Sequence, residues 1–222
     1  MQLLSVRDSH SHTHTEPCAL RHTTSFSEIC NKGSSSWLYR NAEYSIFTQN
    51  LIKVKHKVLK KQHISKMCFV CGEKNDFGLH ARFYETEAYE LVALINPSEK
   101  HQGYPGRMHG GIAATILDET IARSICNGRD EHLWGVTLEL KTKFRKPVPL
   151  GQELKVVGRV TSEGNRSFEG TGEIVLPNGE IAVSAEGKYI KLTIDKIADD
   201  QFIDEEWFFA ESPDDPSEIE IP

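Results

Sequence analysis

No run of 18 apolar residues occurs in the 222-residue chain, which excludes a membrane-spanning helix read from sequence. Cysteine is scarce. The five cysteines, at 18, 30, 68, 71 and 126, are too few and too unevenly placed for a secreted disulfide framework, so a reducing, cytoplasmic setting is expected. Positive charge is not in excess either: 26 basic against 32 acidic residues leave a net charge of −6, a poor balance for generic nucleic-acid binding. No apolar signal core follows Met1, and arginine in the first 66 residues is confined to Arg7, Arg21 and Arg40, which weakens an organellar presequence reading.

What is present divides into three unlike segments. Residues 1–66 hold ten Lys or Arg against four acids, open with the run His10-Ser11-His12-Thr13-His14-Thr15, and show no sustained period. They read as a disordered or dispensable basic extension, with Leu51–Lys66 as a short amphipathic helix or a solvated charge run. Residues 199–222 hold ten acids and no Lys or Arg; Phe202, Trp207, Phe208 and Phe209 are expected to pack on something, and the remainder to be a disordered acidic tail. The patterned domain is residues 67–198.

Within it, Leu79–Tyr84 and Glu90–Ile95 read as strands around a turn, and Gly103, Pro105 and Gly106 mark a loop. From Gly110 to Cys126 the chain reads as a long helix stopped by Asn127-Gly128. Strands follow at Leu133–Arg145, with Val136, Leu138, Leu140 and Phe144 on one face, and at Glu153–Val160, Arg166–Leu176 and Glu180–Leu192. One helix facing about six antiparallel strands predicts an α+β domain with a curved sheet wrapped on a central helix. The apolar residues of that helix cover more than half its circumference, so it should be nearly enclosed; Glu119 and Arg123, four apart, form its expected polar stripe. Asp118 falls elsewhere, among small residues on the face shared with Gly111, about 10 Å away along the axis. A carboxylate there is either a satisfied boundary residue or a catalytic group.

Cys68-Phe69-Val70-Cys71-Gly72, Asn75, Gly78-Leu79, then His109-Gly110-Gly111 with Asp118 nine residues after His109, and Gly135-Val136-Thr137, together resemble the PaaI-like branch of the hotdog-fold acyl-CoA thioesterases. The resemblance covers about residues 67–193. It implies the hotdog fold, a homodimer or a dimer of dimers (a homotetramer) with sites at the subunit interface, and hydrolysis of an acyl-CoA thioester to free acid and CoA. It implies no separate cofactor and no metal, since coenzyme A is part of the substrate.

The roles implied are these. Asp118 is general base or nucleophile. Gly111, at the helix tip with unpaired N–H groups, polarises the carbonyl beside Gly110. His109 orients the thioester, and Thr137, from the opposite subunit, holds water or a carboxylate oxygen. Gln102 contacts the thioester. Arg107, Lys143, Arg145 and Lys146 are candidates for CoA phosphates. The Cys68/Cys71 pair lacks a fourth zinc ligand even if His80 is a third, and lacks the strand-to-helix setting of a redox motif, so packing or a substrate-adjacent role is expected. A non-catalytic acyl-CoA binding module is the alternative function on the same scaffold, and enoyl hydration or dehydration ranks last.

Overall fold

The computed structural model describes residues 53–129, 133–198 and 201–222. The histidine-rich run, Cys18, Cys30 and the rest of residues 1–52 lie outside the described residues. In chain order the elements are β1 (Val54–Lys61), β2 (Ile64–Ser65), β3 (Arg82–Thr86), β4 (Leu91–Ile95), β5 (Gln102–Tyr104), β6 (Arg107–Met108), α1 (Gly110–Arg123), β7 (Trp134–Phe144), β8 (Leu154–Glu163), β9 (Ser167–Val175), β10 (Ile181–Leu192), α2 (Phe202–Glu205), β11 (Trp207–Phe208) and β12 (Glu218–Ile221). Eight strands form one sheet in the order β12-β1-β3-β4-β8-β9-β10-β7, with antiparallel pairing throughout. The α+β architecture is the expected one: two strands, one long helix, then four strands. No helix among the described residues is long and apolar enough to cross a membrane.

α1 lies against β4 and β7–β10. Its Ala113, Ile116, Leu117, Thr120 and Ile121 are buried, in keeping with the broad apolar stripe. After Arg123 the chain tightens into a 3-10 turn, Ser124–Cys126, and Gly128 takes the left-handed conformation (φ 69°) that ends the helical run. The helix sits deep because three positions of the sheet beneath Thr120 and Ile121 are glycine. A Cβ at Gly170 would lie 2.5 Å from Ile121 Cγ2, one at Gly172 2.9 Å from Ile121 Cγ1, and one at Gly158 2.7 Å from the Thr120 carbonyl oxygen.

β4 is buried on both faces, which is why Leu91–Ile95 is unbroken in apolar character. Leu91, Ala93 and Ile95 join the core around α1. Val92 and Leu94 join a second cluster on the opposite face, with Tyr84, Val157, Val175, Ile219 and Ile221.

Two segment boundaries differ from the sequence reading. The sheet does not begin after Met67: β1 pairs with β3 on one side and β12 on the other, inside the stretch read as a dispensable extension. Lys55, Lys57 and Lys60 are exposed while His56 and Val58 are half-buried, so the charge run conceals a one-sided strand. The acidic tail is likewise structured. Trp207–Phe208 pairs with Ile64–Ser65, and Glu218–Ile221 forms the outermost strand on β1, with Ile219 and Ile221 buried. Alternation of acid with isoleucine over four residues is too short to outweigh ten acids in a composition reading.

The Glu119–Arg123 pair also departs from expectation. Rather than a surface stripe, it is an enclosed network: Arg123 Nε donates to Glu119 Oε1 (2.7 Å) and Nη1 to the His63 carbonyl (2.9 Å). The guanidinium lies 4.5 Å from the Phe83 ring centroid and 4.8 Å from that of Trp207. The segments outside the expected domain, which supply His63 and Trp207, close it over.

Candidate active site

β7 carries the decisive irregularity. Its pairing with β10 slips between Lys188 and Tyr189, so that Glu139 and Thr137 face consecutive residues of β10 and Leu138 is left over as a bulge. The bulge shifts the phase of side-chain alternation. Thr137 therefore faces α1, and Leu140 packs against the core, while Val136 and Leu138 are exposed. The single face expected for Val136, Leu138, Leu140 and Phe144 does not exist.

Thr137 Oγ1 donates to Asp118, at 2.9 Å from Oδ1 and 3.1 Å from Oδ2. Tyr189 Oη, from β10, lies 3.1 Å from the same Oδ1 and 3.3 Å from the Asp118 carbonyl oxygen. Thr137 was expected from an opposite subunit; it meets Asp118 within one chain, because α1 lies along β7 and the bulge turns the hydroxyl inward. Oδ1 is held by two elements and Oδ2 is the freer oxygen. Burial pushes the Asp118 carboxyl above the ordinary range, against the opposing effect of the hydrogen bonds from Thr137 and Tyr189, and the Glu119 charge pushes the same way as burial. Tyr189 is held as a neutral phenol, its acidity suppressed by burial and then by the Asp118 charge.

Tyr189 was missed by the sequence reading, and nothing local marks it: an aromatic in a strand is an ordinary β-former. The one signal is Gly187 beside it. A Cβ there would lie 2.5 Å from the Tyr189 hydroxyl oxygen and 2.6 Å from Cε2, so the glycine is the space the ring occupies. Gly187→Ala should push the phenol off the carboxylate, removing a bond that favours the charged form and raising the Asp118 titration midpoint further, as Tyr189→Phe should. A carboxyl-carbon NMR titration reads this directly; an unmoved midpoint in both variants would remove Tyr189 from the site.

At the other end of α1, His109 caps the helix: its Nδ1 accepts from the Gly111 N–H at 2.9 Å. The Gly111 amide, expected to be unpaired, is thus occupied by the side chain two residues before it. This fixes His109 with a lone pair on Nδ1. Gln102 does not turn toward the helix tip: its Oε1 accepts from the Gly106 N–H (2.8 Å) and closes the β5–β6 turn.

Gly110 packs near Phe144, whose Cε1 would be 3.4 Å from a Cβ there, so the basic end of β7 flanks the helix tip. There Lys143 pairs with Glu186 (3.4 Å), Arg145 donates to Ser184 Oγ (2.5 Å) and Lys146 pairs with Glu180. Arg107 is exposed on β6, bridged to Pro149. Lys143 lies six residues, roughly 20 Å, along the strand from Thr137. The candidate residues therefore form two groups: a half-buried carboxylate with two hydroxyl donors, and a helix tip packed near Phe144.

A third constellation involves Cys68 and Cys71. Their sulfurs and a Glu119 carboxylate oxygen lie within 4.8 Å of one another. His80, the third ligand considered from sequence, is not part of it; it is exposed with φ 50°.

Residues 105–183 match the family model described as Thioesterase superfamily. Bovine acyl-coenzyme A thioesterase THEM4 is 27% identical over 143 residues, covering 63% of this chain and 58% of that protein. Mouse acyl-coenzyme A thioesterase THEM5 is 33% identical over 93 residues, 36% of each chain. An uncharacterised fission-yeast protein is 29% identical over 97 residues, 44% of this chain and 55% of its own. The crystal structure of a thioesterase superfamily protein superposes with a TM-score of 0.51 at 25% identity, covering 56% of this chain and 60% of that one. The matched stretch thus spans less than two thirds of the length of each of these relatives. The part of the hotdog fold built around α1, residues 105–183, is therefore similar to the thioesterase superfamily.

Proposed function

We propose that this chain hydrolyses acyl-CoA thioesters. The observation that carries the reading is Asp118: a carboxylate on a helix enclosed by the sheet, anchored through Oδ1 by Thr137 and Tyr189, with burial raising its proton affinity. A group so held is suited to take a proton from water and return it later. Asp118 Oδ2 accepts a proton from water as the oxygen attacks the thioester carbonyl carbon. The charge that develops on the carbonyl oxygen is taken by the amides of the helix tip, Gly111 among them once the oxygen replaces His109 Nδ1 on its N–H. The C–S bond then breaks, and the CoA sulfur leaves as thiol with the proton from Asp118. Attack by Asp118 itself, through an acyl-enzyme anhydride, uses the same atoms. Arg107, Lys143, Arg145 and Lys146 are the cations offered to the CoA phosphates.

The working unit in this reading is at least a dimer. β7 is the sheet's edge, hydrogen-bonded only to β10 among the described residues, and it exposes Val136 at 37%, Leu138 at 60% and Phe144 at 55%. An open edge of eleven residues that exposes three large apolar side chains invites a second strand, and a second copy supplies one. Leu138→Glu should convert the protein to monomer by sedimentation and cost activity in step; a monomeric, fully active wild type would refute the arrangement.

The direct test is thiol release from short, long and aryl acyl-CoAs by the full chain. Turnover with any of them supports hydrolysis. Stoichiometric binding without thiol release would overturn it in favour of a binding module.

A further inference from the structure

Cys68 and Cys71 sit in the tight turn between β2 and β3, where the Gly72 N–H donates to the Cys68 carbonyl oxygen at 2.8 Å. A Cβ at Gly72 would lie 2.4 Å from that oxygen, so the turn is closed around glycine. Cys68 Sγ accepts from the Val70 N–H (3.3 Å), and Cys71 Sγ from both the Ser65 N–H and Arg123 Nη2 (3.3 Å each). Arg123 is held between two aromatic rings and bonded to Glu119 and the His63 carbonyl, so its charge is a fixed part of the site. Cys71 is buried at 1% exposure, whereas Cys68 is partly exposed, between the exposed Met67 and Phe69.

We propose that Cys68 and Cys71 form a dithiol redox site, in which Cys68 attacks small-molecule disulfides of the glutathione type and Cys71 resolves the product to an intrachain disulfide. The strand-to-helix setting whose absence argued against this from sequence stabilises the attacking thiolate; here the hydrogen bond from the Cys71 thiol does so for Cys68, and the buried Arg123 guanidinium favours ionisation of Cys71, the resolving thiol. In the first step the Cys68 thiolate forms a bond to one sulfur of the small disulfide, whose S–S bond breaks and releases one thiolate. Cys71 then passes its proton to the Glu119 carboxylate and its sulfur bonds to Cys68 Sγ, expelling the second small thiolate. Two protein thiols are oxidised and one disulfide is reduced to two thiols.

The acidities match the order of events. The hydrogen bond from the Cys71 thiol brings Cys68 down to about 6 against the opposing effect of burial, while Cys71 is raised by that bond and by burial. A divalent metal on Cys68, Cys71 and Glu119 is the competing use of these atoms. It is disfavoured because Arg123 already donates to Cys71 and Glu119, and its charge would sit beside the ion.

At pH 7 a thiol of pKa about 6 is roughly 90% ionised against about 1% for one of pKa 9, but its lower basicity cancels about 20- to 30-fold of that gain. Only a few-fold in rate remains, so the pH midpoint is the better readout. The full-length wild-type protein is alkylated with iodoacetamide across pH and mapped by peptide; Cys68 should show a midpoint near 6, where an ordinary thiol shows 9. In glutathione buffers of increasing oxidation, mapping should find a Cys68–Cys71 disulfide, and Cys71→Ser should instead retain one glutathione on Cys68. Three results would each overturn the proposal: a Cys68 midpoint near 9, a pair that stays reduced in fully oxidised glutathione, or a zinc equivalent in the purified protein released only on alkylation of the pair. None of these readouts depends on thioester turnover.

Discussion

Asp118→Asn is expected to lower acyl-CoA hydrolysis by at least about 100-fold while the fold persists. Asparagine keeps an oxygen for the Thr137 and Tyr189 hydroxyls, so the geometry of α1 against β7 and β10 survives and only the proton-accepting group is lost. Stability separates this from a folding defect. Because burial raises the Asp118 proton affinity in the folded state, the ionised carboxylate costs stability at neutral pH. The variant should therefore be at least as stable as wild type at pH 7, and its advantage should vanish as the pH falls below the ordinary aspartate value and the wild-type group is protonated in both states. Wild-type activity should rise with pH through a midpoint above that ordinary value. Near-normal turnover by the Asp118→Asn variant would end the assignment.

Asp215→Ala should cost about 2–4 kcal/mol of stability, read by denaturant titration. Lys61, with only 7% of its side chain exposed, lies 2.7 Å from both Asp215 oxygens. It also donates to the Ala210 carbonyl. Tyr84 Oη donates to Asp215 Oδ1 at 2.6 Å, and the Ser212 N–H to Oδ2 at 3.0 Å. Removing the carboxylate leaves a buried ammonium without its counter-charge, and removing both partners together should cost less than the single change. Lys61→Met combined with Asp215→Ala is the check: a double variant no more stable than Asp215→Ala would show that the pair is not the cause. The Lys61 and Tyr84 bonds hold the Asp215 carboxyl below the ordinary range, so its contribution is present at neutral pH and fades as the pH drops through that lowered value. A chain beginning at Met67 loses Lys61 and all of β1, and should fare worse still.

The helix, the strands beside it and the turn at Asn127-Gly128 were legible because each obeys a local rule: apolar periodicity, alternation, or a stop residue. Asp118 was legible as an anomaly, an acid on a face of small residues. What sequence could not give depends on contacts between distant segments. Thr137 faces Asp118 only because a bulge at Leu138 breaks the alternation, and the bulge exists only in the pairing with β10. Tyr189 reaches the carboxylate from 71 residues away. Lys61 lies within a lysine run whose solvated members conceal the one that is buried. Arg123 had the right partner in Glu119, but its aromatic cage comes from Phe83 and from Trp207 in a segment that composition marks as a tail.

The glycine floor of Gly158, Gly170 and Gly172 has a bearing on which sequence changes this protein can absorb. A methyl group added at any of the three would jack α1 away from its bed and so change the distance from Asp118 to the hydroxyls of Thr137 and Tyr189. Variation that leaves this geometry intact is therefore confined to positions off that floor, and a survey of tolerated substitutions should find the three glycines fixed where the surrounding positions are free to change.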